Sequence, residues 1–163
     1  MEYQIRKALS EDLPRIEEIY AYARKFMAEN GNPNQWGNIT PRTSLLEDDI
    51  EKGDLYVLVH DHVIHGAFYF YIGPDPTYGI IEDGQWRSDM PYGTIHRIAG
   101  DGSGGVLAAA VAFGKQKINH LRIDTHEDNK IMQRAVVKYG FQRCGIIHLA
   151  NGSPRIAYDL LIP

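Results

Sequence analysis

Four glycines fall within six residues, at Gly100, Gly102, Gly104 and Gly105, in the stretch Thr94–Leu107 that reads T-I-H-R-I-A-G-D-G-S-G-G-V-L. Glycine admits positive φ and leaves room beside the backbone, while a helix start offers unpaired N–H groups at the positive end of its dipole. That chemistry suits an anionic phosphate. The flanks agree: Thr94–Ala99 carries β-branched residues in polar/apolar alternation, as a strand does, and the alanine-rich run from Val106 suits a helix. Two phosphate signatures test the idea. A Walker loop ends Gly-Lys-Ser/Thr, whereas this one ends Gly104-Gly105-Val106, which argues against a nucleotide triphosphatase. A dinucleotide fingerprint is met by Gly100, Gly102 and Gly105, but it requires alternating β-α units from the phosphate strand onward. Here strands in succession lead into the loop, and the acidic ribose contact would fall to the ambiguous Asp124.

Other residues invite chemistry and supply less of it. His60, His62 and His65 suggest a metal, yet on an extended segment His60 and His62 share one side and His65 faces the other, with no nearby cysteine to complete a set; no metal is expected. Cys144 has no base or helix start near it in sequence and reads as an inert strand position.

The elements that must carry the loop follow from periodicity. Tyr3–Lys7 alternates weakly, as an edge strand. Ser10 is a candidate N-cap, after which Leu13, Ile16, Tyr20, Ala23 and Met27 recur at helical spacing. Asn30–Pro41 is a Gly/Asn/Pro-rich loop carrying Trp36. Ser44 and Glu47 have capping-box spacing for a shorter helix, Ser44–Lys52. Leu55–Val59 and Val63–Ile72 read as strands joined by a tight turn, and Ile80–Trp86 as a possible extension of the meander. After the loop come a helix Val106–Lys117, a strand Leu121–Thr125, a helix Asn129–Tyr139, and two strands, Phe141–Leu149 and Arg155–Leu161.

Composition bounds the rest. The chain has 163 residues, 44% hydrophobic and 23% charged, enough for one domain spanning 1–163 with a full core. A net charge of −4 shows no basic footprint for nucleic acid. One cysteine excludes an internal disulfide framework, and the start M-E-Y-Q-I-R-K has no apolar signal core. A cytoplasmic setting away from membranes is expected.

This order of elements, with I-H-R-I-A-G-D-G-S-G-G-V, L-R-I-D-T-H-E-D-N-K-I-M-Q-R-A-V-V-K-Y-G-F-Q-R-C-G-I-I and R-I-A-Y, resembles the Gcn5-related N-acetyltransferases (GNAT) over essentially the whole chain. The resemblance implies an α/β fold: a mixed, mostly antiparallel sheet with helices on both sides. It also implies acetyl-coenzyme A as cosubstrate. Its pyrophosphate would rest on Gly100, Gly102, Ser103, Gly104, Gly105 and Val106, its pantetheine arm along Ile98 and Ala99, with Asn129 as a further contact. The expected reaction is direct transfer of an acetyl group to a primary amine of a small molecule or peptide. A module that holds an acyl-coenzyme A without turnover is the alternative, and a homodimer is compatible with either.

Amine acetylation asks for a base, since a lysine-like ammonium of pKa about 10.4 costs roughly 4.6 kcal/mol to deprotonate at neutral pH. In the family geometry His96 lies beside the thioester, and an imidazole suits neutral pH. Glu82 and Asp83 are alternatives. Trp36, Glu82 and Trp86, with Tyr92, fall in segments that cover the acceptor in this family. Many members carry a tyrosine five residues before the Phe of the helix-ending Gly-Phe pair, to protonate the leaving thiolate. Here that position is Val136, and Tyr139 starts from a different turn.

Overall fold

Alternation along the strands sorts the side chains to two faces of one sheet. In β2 (Leu55–His60), Leu55 and Val57 pack with Ile16, Ile19, Tyr20 and Leu46, while Leu58 packs into a second core with Phe68, Phe70, Val106 and Val111. The computed structural model describes all 163 residues. The first face is covered by α1 (Leu13–Glu29) and α2 (Thr43–Lys52), the second by α3 (Val106–Lys117) and α4 (Lys130–Lys138). The remaining strands are β1 (Gln4–Lys7), β3 (Val63–Ile72), β4 (Gly93–Gly100), β5 (His120–Thr125), β6 (Gln142–His148) and β7 (Pro154–Leu161). Strand order is β1-β2-β3-β4-β5-β7-β6. Every pair is antiparallel except β4 with β5, so the expected mixed, mostly antiparallel α/β sheet with helices on both sides is the fold. No helix is long and apolar enough to cross a membrane.

The one parallel pair is also the shortest. β4 meets β5 only at Gly93↔Leu121 and Thr94↔Arg122, and beyond those residues no ladder joins them. β4 is irregular on its other side too, where the register with β3 shifts between Ala67 and Tyr69 and Arg97 takes φ +49°. A gap therefore opens in the middle of the sheet, bordered by Ile95–Ile98 and Ile123–Thr125.

Three expectations change. Ile80–Trp86 is not a strand: after Pro74, Pro76 and Gly79 the chain only touches β6 through one bridge, Glu82↔Ile146. At Gly84 (φ +149°) a Cβ would lie 1.9 Å from the Cys144 carbonyl, so this stretch passes against the sheet edge as irregular backbone. The Ser44–Glu47 capping box does not form, because α2 begins at Thr43 with Arg42 as its N-cap and the Thr43 hydroxyl donates to Glu17 of α1. Ser10 opens a single 3-10 turn, Ser10–Asp12, before α1, and Asp12 accepts the Leu9 N–H at 2.7 Å.

Candidate functional site: two clefts meeting at the sheet gap

The glycine loop turns through the left-handed region at Gly102, Gly104 and Gly105, with φ of +94°, +89° and +75°. Asp101 fixes it from behind. Its carboxylate accepts from the Ser103 N–H at 3.0 Å and from the Arg15 guanidinium at 2.9 Å, and meets Nδ1 of His65 at 2.8 Å. Burial alone would raise the Asp101 carboxyl; the Ser103 and His65 hydrogen bonds outweigh it and hold the pKa low. Tyr3 donates to the Gly104 carbonyl at 2.6 Å. A Cβ built on Gly104 meets nothing within 4 Å. The loop thus presents open backbone beside a helix start.

A cleft of about 460 Å³ runs from this loop between α1 and α4. Ile98, Ala99, Gly100, Gly102, Gly104, Val106 and Asn129 line it, with Tyr22, Met27, Leu107 and Met132. Ser103 and Gly105 lie in the turn but do not line the cleft. Asn129 is the N-cap of α4: its Oδ1 accepts the Met132 N–H at 3.0 Å and its Nδ2 donates to Gln35 Oε1 at 2.9 Å. Asn32, another lining residue, is 2% exposed, and its Oδ1 has no partner. A buried acceptor left open in a cleft fits a ligand carrying amide N–H groups, as a pantetheine arm does, and the glycine turn fits its phosphates.

A second cleft, also about 460 Å³, shares Met27, Ile98, Asn129 and Met132 with the first. Its floor is built by side chains of one sheet face: Tyr69 from β3, His96 from β4, Asp124 from β5 and Arg155 from β7. Thr77 donates through its N–H at 2.9 Å and its hydroxyl at 2.7 Å to Oδ1 of Asp75, leaving Oδ2 for His96 Nε2 at 2.7 Å. A carboxylate only accepts, so Nε2 carries the proton. Nδ1 lies 3.5 Å from Asp124 Oδ2, which also accepts the Tyr78 hydroxyl at 2.6 Å. Burial pushes the Asp75 carboxyl up, but the hydrogen bond and charge of His96, with Thr77, bring it down to about 2. Burial pushes the Tyr69 hydroxyl up to about 12, keeping it a proton donor. The Arg97 guanidinium lies over the Tyr69 ring, 4.6 Å from its centroid, and pairs with Asp49.

Of the residues expected to cover the acceptor, Trp36 lines this cleft and packs edge-on against Tyr20 at 5.6 Å. Glu82 and Trp86 do not line it. Glu82 bridges β6 through its backbone and its side chain is exposed to solvent, and Trp86 donates Nε1–H to the Tyr78 carbonyl at 2.9 Å while its ring lies 4.0 Å from the Arg122 guanidinium. The Tyr92 ring also packs against that guanidinium, its centroid 3.9 Å away. These aromatics hold the backing of Tyr78 and Asp75. Sequence reasoning missed Asp75, Tyr69 and Arg155, and met Asp124 only as an ambiguous acid in the dinucleotide reading it set aside. A signal existed for Asp75, since Asp75-Pro-Thr77 is an Asx-turn pattern that would aim a carboxylate, but its partner lies 21 residues away.

The other candidates fall elsewhere. His60 and His65 lie on the same face, rings 6.4 Å apart, because the turn Asp61–His62, with φ +49° and +65°, reverses the chain and alternation cannot be counted through it. Burial pushes the Cys144 thiol up to about 11, with Asp159 adding to the effect, far from either cleft lining. Tyr139 caps the end of α4 outside both clefts, under the Lys138 ammonium.

Compared with models of known families the sequence matches none, and it matches no curated protein sequence. Solved structures are similar to it. A GNAT family acetyltransferase from Streptococcus agalactiae 2603 is 30% identical, with 99% of this chain and 96% of that one covered and a TM-score of 0.87. One from Listeria monocytogenes 4b F2365 is 22% identical, covering 99% and 96%, with a TM-score of 0.74. The ribosomal-protein-alanine N-acetyltransferase of Brucella melitensis is 18% identical, covering 98% and 99%, with a TM-score of 0.61, and shares the fold. By its split sheet, its glycine turn into α3, and a 30% identity that extends over 99% of its length, the chain belongs to the GNAT family of acetyltransferases.

Proposed function

We propose that the protein transfers an acetyl group from acetyl-coenzyme A directly to a primary amine of a small molecule or peptide. The observation that carries this reading is that the two clefts share Met27, Ile98, Asn129 and Met132, so a ligand in one reaches a ligand in the other at the sheet gap. Acetyl-coenzyme A, when bound, supplies the thioester, an acyl group activated toward amines. The open backbone at Gly102, Gly104 and Val106 holds its phosphates, the Ser103 N–H being already donated to Asp101, and Asn32 Oδ1 accepts from its arm.

His96 is the base in this reading. Asp75 holds the imidazole by Nε2, and Nδ1 takes a proton from the incoming ammonium, which Asp124 draws in by charge. The two carboxylates also stabilise the imidazolium that forms. Ile98 has no partner in the β3–β4 register, and we assign its N–H to the developing oxyanion. The single cysteine lies outside both clefts, which favours direct transfer over a thiol-bound acyl enzyme.

The test is acetyl-coenzyme A turnover with a panel of primary amines, following both thiol release and the N-acetyl product by mass spectrometry. Amine-dependent thiol matched by N-acetyl product supports the assignment. Tight coenzyme A binding with no amine-dependent thiol would leave a holding module instead.

A further inference from the structure

Most charged side chains around the acceptor cleft are paired inside the protein: Arg97 with Asp49, Lys52 with Asp48 at 2.9 Å, and His96 with Asp75 at 2.7 Å. Arg155 is different. It is 6% exposed, and its guanidinium donates only to neutral oxygens: Ser153 Oγ at 2.6 Å, the Pro154 carbonyl at 2.8 Å and the Gln35 carbonyl at 3.2 Å. A guanidinium has five N–H donors. Two of them, Nε–H included, are left without a protein partner. A buried cation costs free energy unless an anion joins it, and a guanidinium fork matches a carboxylate better than any other side chain does.

A carboxylate, Asp124, lies close by on the same surface. Asp124 faces Ala157 across the β5–β7 ladder, and Arg155 is two residues from Ala157 on β7, so both project to one face. Diagonal neighbours of this kind sit roughly 7–8 Å apart. The His96 imidazole is the near neighbour of Asp124, 3.5 Å away at Nδ1, and the Asp124 charge is also felt at Arg155, where burial lowers the guanidinium pKa and Asp124 acts against that. The cleft thus holds a negative group next to the base and a positive group a diagonal step away, which act on each other through charge without forming a direct ion pair.

We infer that Arg155 binds a carboxylate of the acceptor, and that the acceptor is an amino acid, with its amine at Asp124 and His96 and its carboxylate on the Arg155 fork. The inference rests on reading this cleft as the acceptor site. It gives Arg155 a role in choosing the substrate, apart from proton transfer. The Gln35 contact ties that choice to the Trp36 loop, which lines the same cleft.

The experiment compares acceptors that differ only in the carboxylate: amino acids, their C-terminal amides and the corresponding decarboxylated amines. With the unaltered protein, kcat/KM for the best amino acid should exceed that of its amide by about 100-fold, a ratio expected when a buried charge is left unpaired. Arg155→Gln should remove most of that ratio by lowering the amino-acid value while leaving the amide within about 3-fold, and Arg155→Lys should restore part of it. Equal use of acid and amide by the unaltered protein, or an equal fall for both in Arg155→Gln, overturns the inference. Should Arg155→Gln fail to fold, the acid-to-amide ratio of the unaltered protein decides alone. Should no acceptor release thiol, the transfer reading fails separately. Calorimetry of the coenzyme A complex then decides: preferential binding of the amino acid upholds the carboxylate site, and equal or absent binding overturns it.

Discussion

Nε2 of His96 lies 2.7 Å from Oδ2 of Asp75, whose other oxygen is already taken by the amide and hydroxyl of Thr77. The imidazole is therefore held in one tautomer, with Nδ1 left to exchange a proton in the cleft. His96→Ala should lower kcat about 100-fold and change coenzyme A affinity less than about 3-fold, with part of the loss regained at high pH where the amine is already neutral. Initial rates and equilibrium binding across pH check this. An unimpaired variant removes His96 from the chemistry.

The same contact has a stability signature. Asp75 has a folded pKa of about 2 against an ordinary 3.8, so the folded state favours its ionised form. That contribution is fully present above pH about 4 and is lost as pH falls through about 2. With its side chain only 15% exposed, the shift corresponds to about 2 kcal/mol. The stability gap between the parent and Asp75→Asn should be widest above pH 4 and close toward pH 2 in denaturant titrations. A gap independent of pH would mean that the pair does not stabilise the fold through charge.

Gly104 and Gly152 form a matched pair, with φ of +89° and +86° and nothing within 4 Å of an added Cβ at either. Leucine at either position should cost a similar 1–2 kcal/mol of stability from the left-handed backbone. Only Gly104→Leu should weaken coenzyme A binding, by at least about 10-fold, because only there does a side chain stand where phosphates approach amides. Equal affinities in the two variants would move the phosphate site elsewhere.

Legibility in the sequence was uneven for physical reasons. The helix Val106–Lys117 and the strand Val63–Ile72 were delimited to the residue, since periodicity is a local property and Gly105 marks the helix start. The glycine turn was readable because it too is local. The floor of the second cleft was legible only at His96, for Tyr69, His96, Asp124 and Arg155 come from four strands and meet only through the sheet. Trp86 does not line the second cleft, because an aromatic in such a segment can face a cleft or the sheet, and here the Arg122 guanidinium lies against its ring.

That contact is itself testable. Trp86→Ala removes the stacked cover of a buried guanidinium and the hydrogen bond to the Tyr78 carbonyl. Stability should fall by about 2–4 kcal/mol, lowering the melting temperature by about 5–10 °C, with acceptor KM changed less than about 3-fold. A stable variant with a greatly raised KM would return Trp86 to the acceptor site.

Transfer at the junction of the two clefts is tested most directly by amine-dependent thiol release over a matrix of acetyl-coenzyme A and amine concentrations. Direct transfer requires both ligands to be present together around Ile98 and Asn129, and so gives intersecting double-reciprocal lines, with a rate that falls about 100-fold in His96→Ala. Parallel lines, with acetyl groups recovered on the protein, would contradict direct transfer, and thiol release independent of every amine would contradict acetylation of an amine in this cleft.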